Sequence, residues 1–334
     1  MLLLIKMNFF RKILIFIILF IPVFCNGQFD TVQFKVNPEF PEANQDVSIS
    51  IESYSTDLNR SEISWYKNNS LVQRSVGEKT FSFRTRGLGS VDTITVRVDG
   101  VLKNTFTIRP AEVDLVWEAN TYTPPFYKGK ALNSNQATLK IIAIPHIVSS
   151  SGNKFSPNSL IYTWKKDWKV LGNESGYGRD VLVLDGLDIY NKTIITVEAK
   201  NQGGSIIAQK RIILNNQDSK IVFYEDDPLL GVLYENDLDK NFNLDKEEIN
   251  IKAVPLFLSN EELDSGNIRY SWTMNSKKLT NLESQDYLVL RKGEHDGTTQ
   301  LSLEITNLKK VMQFVRNSLG ISFENVEETN IFGF

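Results

Sequence analysis

One acidic loop has the residue types and the spacing of a calcium-binding loop. Oxygen-bearing side chains stand at the ligand positions 1, 3, 5, 9 and 12 of an EF-hand loop, and they are Asp237, Asp239, Asn241, Asp245 and Glu248. Position 6, where the sharp turn calls for glycine, is Phe242, and Glu248 runs directly into an alternating strand pattern rather than a helix. We therefore predict a solvated loop between strands, with calcium binding in a different geometry as the alternative.

Residues for acid-base or nucleophilic catalysis are few. The two histidines, His146 and His295, have no serine or cysteine partner at a recognisable spacing, so neither a triad nor a histidine-ligated metal is predicted. The three consecutive carboxylates at 225–227 are followed by Pro228, which indicates a charged turn rather than two carboxyls facing each other across a glycosidic bond. We predict that the protein is not an enzyme and uses no cofactor.

A group of aromatic residues has the chemistry to bind a ligand, because exposed rings stack on sugars and pack against proteins. The group consists of Trp117, Tyr122, Phe126, Tyr127 and Trp168, the first four of which lie around a Pro-Pro pair. A proline-rich aromatic segment just after a repeat boundary more often packs an interface between domains. We predict interdomain packing for this segment, with binding of a glycan or a partner protein as the alternative.

β-strands must carry these residues, because the body of the chain alternates between apolar and polar positions. The runs at 32–36, 47–51 and 94–98 alternate β-branched or aromatic residues with polar ones, as a half-buried strand requires. Turn signals separate the runs, and Asp99-Gly100 has the signature of a tight hairpin. Short strands at regular spacing predict an all-β sandwich fold.

A tryptophan recurs three times at the same place in this pattern. Each copy is followed, 31, 33 or 31 residues later, by the apolar centre of a second run, and the pairs are Trp65 and Val96, Trp164 and Val197, and Trp272 and Leu303. In an immunoglobulin-like sandwich a core tryptophan packs near a disulfide between two strands about this far apart. Apolar residues stand here in place of the second cysteine. We predict that these six residues form the cores of three tandem, disulfide-free immunoglobulin-like domains.

The repeats divide the chain into five predicted parts, which are a signal segment (1–27), domain 1 (28–110), domain 2 (111–217), domain 3 (218–324) and a C-terminal tail (325–334). Domains 2 and 3 are visibly related, because the stretch at 140–145 matches that at 250–255. The linkers between the repeats are short and lack Gly/Ser-rich spacers. We therefore expect a semi-rigid array.

The N-terminal segment predicts export. Basic residues precede an apolar run at 13–21, and about a dozen apolar residues match a secretory signal but fall short of the ~20 needed to span a bilayer. Cys25 and Gly27 supply the small residues that a signal peptidase needs for cleavage before Gln28. The alternatives are lipidation at Cys25 and retention of the segment as a membrane anchor. The predicted location is the cell surface or the extracellular space.

Charge and cysteine content exclude several functions. The 334 residues include 37 basic and 40 acidic ones, giving a net charge of −3 without long blocks of either sign. A nucleic-acid-binding protein needs an excess of basic residues on one face, so nucleic acid is not an expected partner. Cys25 is the only cysteine, which excludes disulfides, cysteine-ligated zinc and thiol catalysis from the predicted domains.

Five stretches of the chain resemble a family of secreted bacterial proteins. They are 53–60, 63–66, 107–115, 124–132 and 162–166, and the run Pro-Pro-Phe-Tyr-Lys-Gly-Lys-Ala-Leu at 124–132 is fairly specific. The family is that of the candidate-phyla bacteria (Patescibacteria) with tandem immunoglobulin-like or PKD-like domains. The resemblance covers most of the chain after the signal segment. It implies secretion and a β-sandwich array, and it supplies no activity, ligand or catalytic residue.

Together these features predict a secreted or cell-surface, non-enzymatic protein. Its immunoglobulin-like array would act as a spacer, an adhesion module or a surface-assembly module, and its partners would be other surface proteins or glycans. The membrane would be contacted only through an uncleaved N-terminal segment. The alternative function is a carbohydrate-binding accessory protein that uses the aromatic residues of domain 2.

Overall fold

The computed structural model describes residues 32–125, 127–187, 192–238, 240–282 and 285–324, with the side chain of Leu102 left out. The predicted signal segment and the predicted tail lie outside the described residues, as do Phe126 and Asp239. Strands dominate the described ranges and form six sheets, two for each of the three tryptophan repeats. The prediction of an all-β fold of tandem sandwiches is therefore confirmed.

The first sandwich contains seven strands. Their bounds are β1 (Gln33–Asn37), β2 (Asp46–Glu52), β3 (Glu62–Lys67), β4 (Ser70–Val76), β5 (Thr80–Arg84), β6 (Asp92–Val98) and β7 (Leu102–Ile108). One sheet has the order β1-β2-β5 and the other the order β4-β3-β6-β7. Two of the alternating runs recognised in the sequence become β2, where buried residues alternate with partly or fully exposed ones, and β6, where five of the seven residues are buried.

The second sandwich contains eight strands and two short 3-10 turns, Pro157–Ser159 and Gly172–Glu174. The strands are β8 (Glu112–Ala119), β9 (Thr138–His146), β10 (Ile161–Lys166), β11 (Lys169–Val170), β12 (Gly176–Tyr177), β13 (Val181–Asp185), β14 (Thr193–Lys200) and β15 (Ile207–Leu214). Its sheets have the orders β13-β9-β8 and β11-β10-β14-β15, with β12 also paired to β10.

The third sandwich contains nine strands and a one-turn helix, α1 (Asn260–Asp264). The strands are β16 (Lys220–Asp227), β17 (Gly231–Asp237), β18 (Asn241–Asn243), β19 (Glu248–Leu256), β20 (Ile268–Met274), β21 (Lys277–Lys278), β22 (Tyr287–Arg291), β23 (Gly297–Asn307) and β24 (Phe314–Phe323). The sheet orders are β17-β16-β19-β22 and β18-β24-β23-β20-β21. Strand β18 pairs with β24 in parallel.

The repeated tryptophans lie in the cores of the three sandwiches. Each lies directly opposite its apolar partner on the neighbouring strand, and all six residues are fully buried: Trp65 and Val96, Trp164 and Val197, Trp272 and Leu303. Each indole N–H also donates to a backbone carbonyl 13 or 15 residues further along the chain, at Glu78, Arg179 and Gln285. Every sandwich thus has a buried tryptophan whose one polar atom is satisfied.

The described part of the chain divides into two compact units. One comprises Ser48–Phe83, Asp92–Thr107 and the residues up to Asn37, and the other comprises Pro38–Val47, Arg84–Val91 and the chain from Ile108 onward. The second and third sandwiches therefore belong to one unit. The predicted boundaries of three separate domains stay a prediction. Among the residues that the structure describes, no helix has both the length and the apolar character that a membrane span needs.

Candidate functional site

The acidic loop considered for calcium contains more regular structure than expected. Asp237 ends β17, and Asn241 begins β18, where the sequence predicts an irregular loop. The Glu248 carboxylate accepts two hydrogen bonds from the Arg291 guanidinium, at 2.8 and 3.1 Å. The main chain of Asp245 accepts a hydrogen bond from the Lys292 ammonium group. Because Glu248 already has a cationic partner, it is a poor candidate for the bidentate ligand of a calcium ion.

His146 and Asp227, two of the other candidates for catalysis or metal binding, have local structural partners. Nε2 of His146 lies 3.1 Å from the Asp114 carboxylate across the β8–β9 pair, and both side chains are partly or largely exposed. His295 is exposed in the loop before β23. The Asp227 carboxylate accepts hydrogen bonds from the next turn of backbone, which lowers its pKa. Within the described ranges, no three His, Cys, Asp or Glu side chains come together as a metal ion would require.

The four candidate aromatic residues that the structure describes do not share one surface role. Trp117 is half-buried on β8 and packs against the core of the second sandwich, where the Lys130 ammonium lies 3.2 Å from its ring centroid. Burial lowers the pKa of Lys130. Trp168 lies in the tight turn between β10 and β11, is 79% exposed, and has the Arg211 guanidinium 5.4 Å from its ring. The remaining described members, Tyr122 and Tyr127, lie beside the third sandwich.

Tyr122 joins the second sandwich to the third through its backbone. Its N–H donates to the carbonyl of Leu258 at 2.7 Å, and its own carbonyl accepts from the N–H of Phe257 at 2.8 Å. The preceding residue, Thr121, forms a β-bridge with Ser259. This short antiparallel pairing is formed by the segment that follows β8 and the segment that follows β19. We call it, together with the side chains that surround it, the joint.

Apolar side chains cover the joint on one side. A buried cluster of the third sandwich, formed by Val254, Leu256 and Phe257, packs against the half-buried Tyr122 and Leu132 of the second. The Tyr127 ring also meets the Phe257 ring edge to face, with centroids 6.1 Å apart. Burial raises the pKa of Tyr122, with smaller contributions from Tyr234 and Asp286. Tyr122 and Tyr127 therefore supply aromatic packing between the second and third sandwiches.

Three polar residues extend the joint at its edge. The side-chain amide of Asn120 donates to the Glu261 carboxylate at 3.1 Å, and that of Asn260 donates back to the Asn120 side-chain oxygen at 3.1 Å. Asn260 and Glu261 lie in the first turn of α1. The short helix thus takes its place directly at the contact with the second sandwich.

A buried hydrogen-bond network lies at the centre of the joint, and Gln313 is its hub. Its side-chain oxygen accepts from the Ser259 backbone N–H at 3.2 Å and from the Asn307 side-chain amide at 2.9 Å. Its side-chain nitrogen donates to the carbonyl of Asn135, in the second sandwich, at 2.8 Å. Gln313, Asn307 and Ser259 are all buried. One glutamine side chain therefore links two loops of the third sandwich to a loop of the second.

Two further hydrogen bonds surround this network. The backbone N–H of Met312 donates to the Gln136 side chain at 2.9 Å. The linker between the two sandwiches is held as well, since the N–H of Gln217 donates to the carbonyl of Asn133 at 2.8 Å. The turn before β24, the 133–136 loop and the linker thus form one hydrogen-bonded contact.

Sequence patterns identify only part of the joint. The aromatic segment around Tyr122 and Tyr127 is prominent in the sequence and is predicted to pack between domains. Gln313 and Asn307 carry no such pattern, because single amides in turns are usually solvated. A comparison of the repeats would not have revealed them either, since their burial depends on the neighbouring sandwich.

No protein-family model and no curated protein matches this chain. Among solved structures it aligns with the three N-terminal domains of the highly immunogenic outer capsid protein of bacteriophage RB49, at 13% identity over 89% of this chain and 100% of that one, with a TM-score of 0.26. It also aligns with fibronectin(III)-like modules of Clostridium thermocellum CbhA, at 14% identity over 55% and 94% of the two chains, with a TM-score of 0.24. Immunoglobulin domains 1–5 of Sidekick-1 align at 13% identity over 88% and 60%, with a TM-score of 0.22. Likenesses this low carry no weight for function, and the fold assignment rests on the sheets and cores above.

Proposed function

We propose that this chain is a secreted or cell-surface, non-enzymatic protein whose immunoglobulin-like sandwiches act as a spacer and surface-assembly module. The joint between the second and third sandwiches is the observation that carries this proposal. A spacer must transmit orientation from one domain to the next. A contact built from backbone pairing, aromatic packing and a buried amide network supplies that property.

The energetics of the joint favour a fixed orientation. Swinging the third sandwich away would break the two backbone hydrogen bonds of Tyr122 and unpair the amides around Gln313. Opening the joint lets water replace these partners, so each lost hydrogen bond costs about 0.5–1.5 kcal/mol net, and several lost together with the apolar packing outweigh thermal energy. Since the linker is also bonded to the second sandwich, bending there would break further contacts. We infer that the two sandwiches move together.

The polar side chains that could have served catalysis are used in structural contacts. His146 pairs with Asp114, Glu248 with Arg291, and Asp227 with its own turn. This use of the titratable groups supports a binding or spacing role. We further propose that the chain belongs to the secreted candidate-phyla family that its sequence resembles. Membership of that family implies a location outside the cytoplasm.

Distance measurement between spin labels tests the fixed orientation. Cysteines would replace Ile213 on β15 and Val289 on β22, both exposed, in a Cys25→Ser background. The expected result is a single narrow distance distribution, which becomes broad in the Gln313→Ala variant. The matched control is Gln300→Ala, which removes an exposed amide from the same sandwich. A broad distribution in the parent protein would contradict a spacer role for this pair.

Trp168 favours the alternative function of glycan binding. Its ring is 79% exposed and is held in a turn with a left-handed backbone, at φ +73°, which presents the indole outward. A planar ring presented in this way can stack on a sugar. Glycan-array binding that is lost in Trp168→Ala would support the accessory role. Equal binding by the variant would remove this ring as the contact.

A further inference from the structure

The third sandwich carries two exposed leucines at the position where the second sandwich forms the joint. In β8, Val113 pairs with Pro145, and in β16, Ile221 pairs with Pro255, so the two strands start in the same register. The residues eight and nine positions after Val113 are Thr121 and Tyr122, which form the backbone pairing of the joint. The residues eight and nine positions after Ile221 are Leu229 and Leu230, which therefore correspond to Thr121 and Tyr122.

The leucine pair is held out into solvent by a defined turn. Leu229 is 93% exposed and Leu230 is 78% exposed. Both backbone N–H groups donate to the Asp227 carboxylate, at 2.8 and 3.0 Å. Their N–H groups are therefore already engaged, so a partner would be met by the leucine side chains rather than by backbone pairing. Because β16 starts at the linker from the second sandwich, this turn lies at the end of the third sandwich remote from the joint.

The first sandwich presents the complementary half of such a contact. In the third sandwich, Leu258 follows β19 by two residues and lies at the joint, because its carbonyl accepts the hydrogen bond from the Tyr122 N–H while its side chain is buried in the core of its own sandwich. The strands β1 and β2 begin their pairing as β16 and β19 do, with Gln33 opposite Glu52 and Lys220 opposite Leu256. The residue two positions after Glu52 is Tyr54, and its side chain is 91% exposed.

We propose that a second copy of this chain binds head to tail, with the Leu229-Leu230 turn of one copy packed against the Tyr54 loop of the next. Both surfaces correspond in strand register to the two sides of the joint, and both expose large apolar side chains to water. A contact between two different surfaces of the same chain does not close on itself as a two-fold dimer does, so further copies can add to it, forming a ring or an open filament. The proposal rests on the surface-assembly function and names its partner.

Sedimentation velocity of the full chain tests self-association. The wild type is expected to form dimers and longer species as its concentration rises to about 100 µM, the range of a weak side-chain contact. Replacing both leucines by serine, or Tyr54 by serine, is expected to weaken association at least about tenfold, equivalent to about 1.4 kcal/mol. The control is Val101→Ser, which removes an apolar side chain that is 83% exposed in another turn. A monomeric wild type, or an equal effect of the control, overturns the proposal.

Disulfide trapping tests the direction of the contact. A Tyr54→Cys chain and a Leu230→Cys chain, both in a Cys25→Ser background, would be mixed and oxidised. The mixed dimer is expected to exceed both self-dimers, and a Val101→Cys chain is expected to trap neither partner. Predominant self-dimers of the Leu230→Cys chain would overturn the head-to-tail arrangement. A monomer that keeps a narrow spin-label distance would remove self-assembly and leave the spacer function intact.

Discussion

The Gln313→Ala substitution is expected to uncouple the second and third sandwiches. The side chain accepts hydrogen bonds from the Ser259 N–H and the Asn307 amide, and it donates to the Asn135 carbonyl. Alanine leaves all three groups without this partner. Ser259 and Asn307 are fully buried, so water reaches their donors only if the joint opens.

The size of the effect follows from the two fully buried donors. Each costs about 1–3 kcal/mol when left unpaired, which gives about 2–6 kcal/mol for the pair. A single domain is typically stable by only about 5–15 kcal/mol, so this loss is a large share of the total. In a unit of roughly 150–250 residues, each kcal/mol lowers Tm by about 2–4 °C.

Calorimetry and denaturant titration measure this loss. The wild type is expected to unfold its second and third sandwiches in one transition, and Gln313→Ala is expected to separate them into two, the lower one shifted downward. The control Gln300→Ala removes an amide from the exposed side of β23 and is expected to change stability by less than about 0.5 kcal/mol. A Gln313→Ala variant that behaves like this control would refute the role of the network.

Three further predictions follow from single residues. Trp164→Ala removes a buried indole and its bond to the Arg179 carbonyl, and it is expected to cost about 3–5 kcal/mol and abolish cooperative melting of the second sandwich; wild-type melting would contradict its place in the core. Burial raises the pKa of Tyr270 to about 12, so the folded state favours the neutral phenol. The stability that this burial contributes is complete below about pH 10 and is lost as the pH rises to about 12. An absorbance titration of Tyr270 with a midpoint near 10 would contradict its burial. Because Glu248 is bound to Arg291, millimolar calcium is expected to leave Tm unchanged, and an upward shift would revive the calcium site.

The sandwich architecture could be predicted because it repeats. Alternation of period two marks each half-buried strand, and the tryptophan and its apolar partner recur at a nearly constant separation. Trp164 and Val197 lie directly opposite each other on the neighbouring strands β10 and β14, so their side chains enter the core from the same face of one sheet. Strand alternation depends on local backbone geometry, so it can be recognised in a single sequence.

The joint is harder to predict from the sequence because it depends on contacts between residues far apart in the chain. Gln313 and Asn135 are separated by 178 positions, and neither has a periodic neighbour that would indicate burial. The parallel pairing of β18 with β24 was not predicted for the same reason. Phe242 pairs with Ile321, which is far away in the sequence, and the residues around Phe242 show no strand pattern of their own. Tyr122 could be recognised because aromatic residues beside prolines are conspicuous in composition alone.

Hydrogen exchange at the Tyr122 amide measures directly whether the second and third sandwiches are held together. This N–H donates to the carbonyl of Leu258 in the next sandwich, so its protection reports whether the joint stays closed. We expect exchange as slow as that of amides within β8 and β9, and much faster exchange in Gln313→Ala. Exchange in the wild type at the rate of an exposed loop would show that the two sandwiches move independently and that the joint does not fix their orientation.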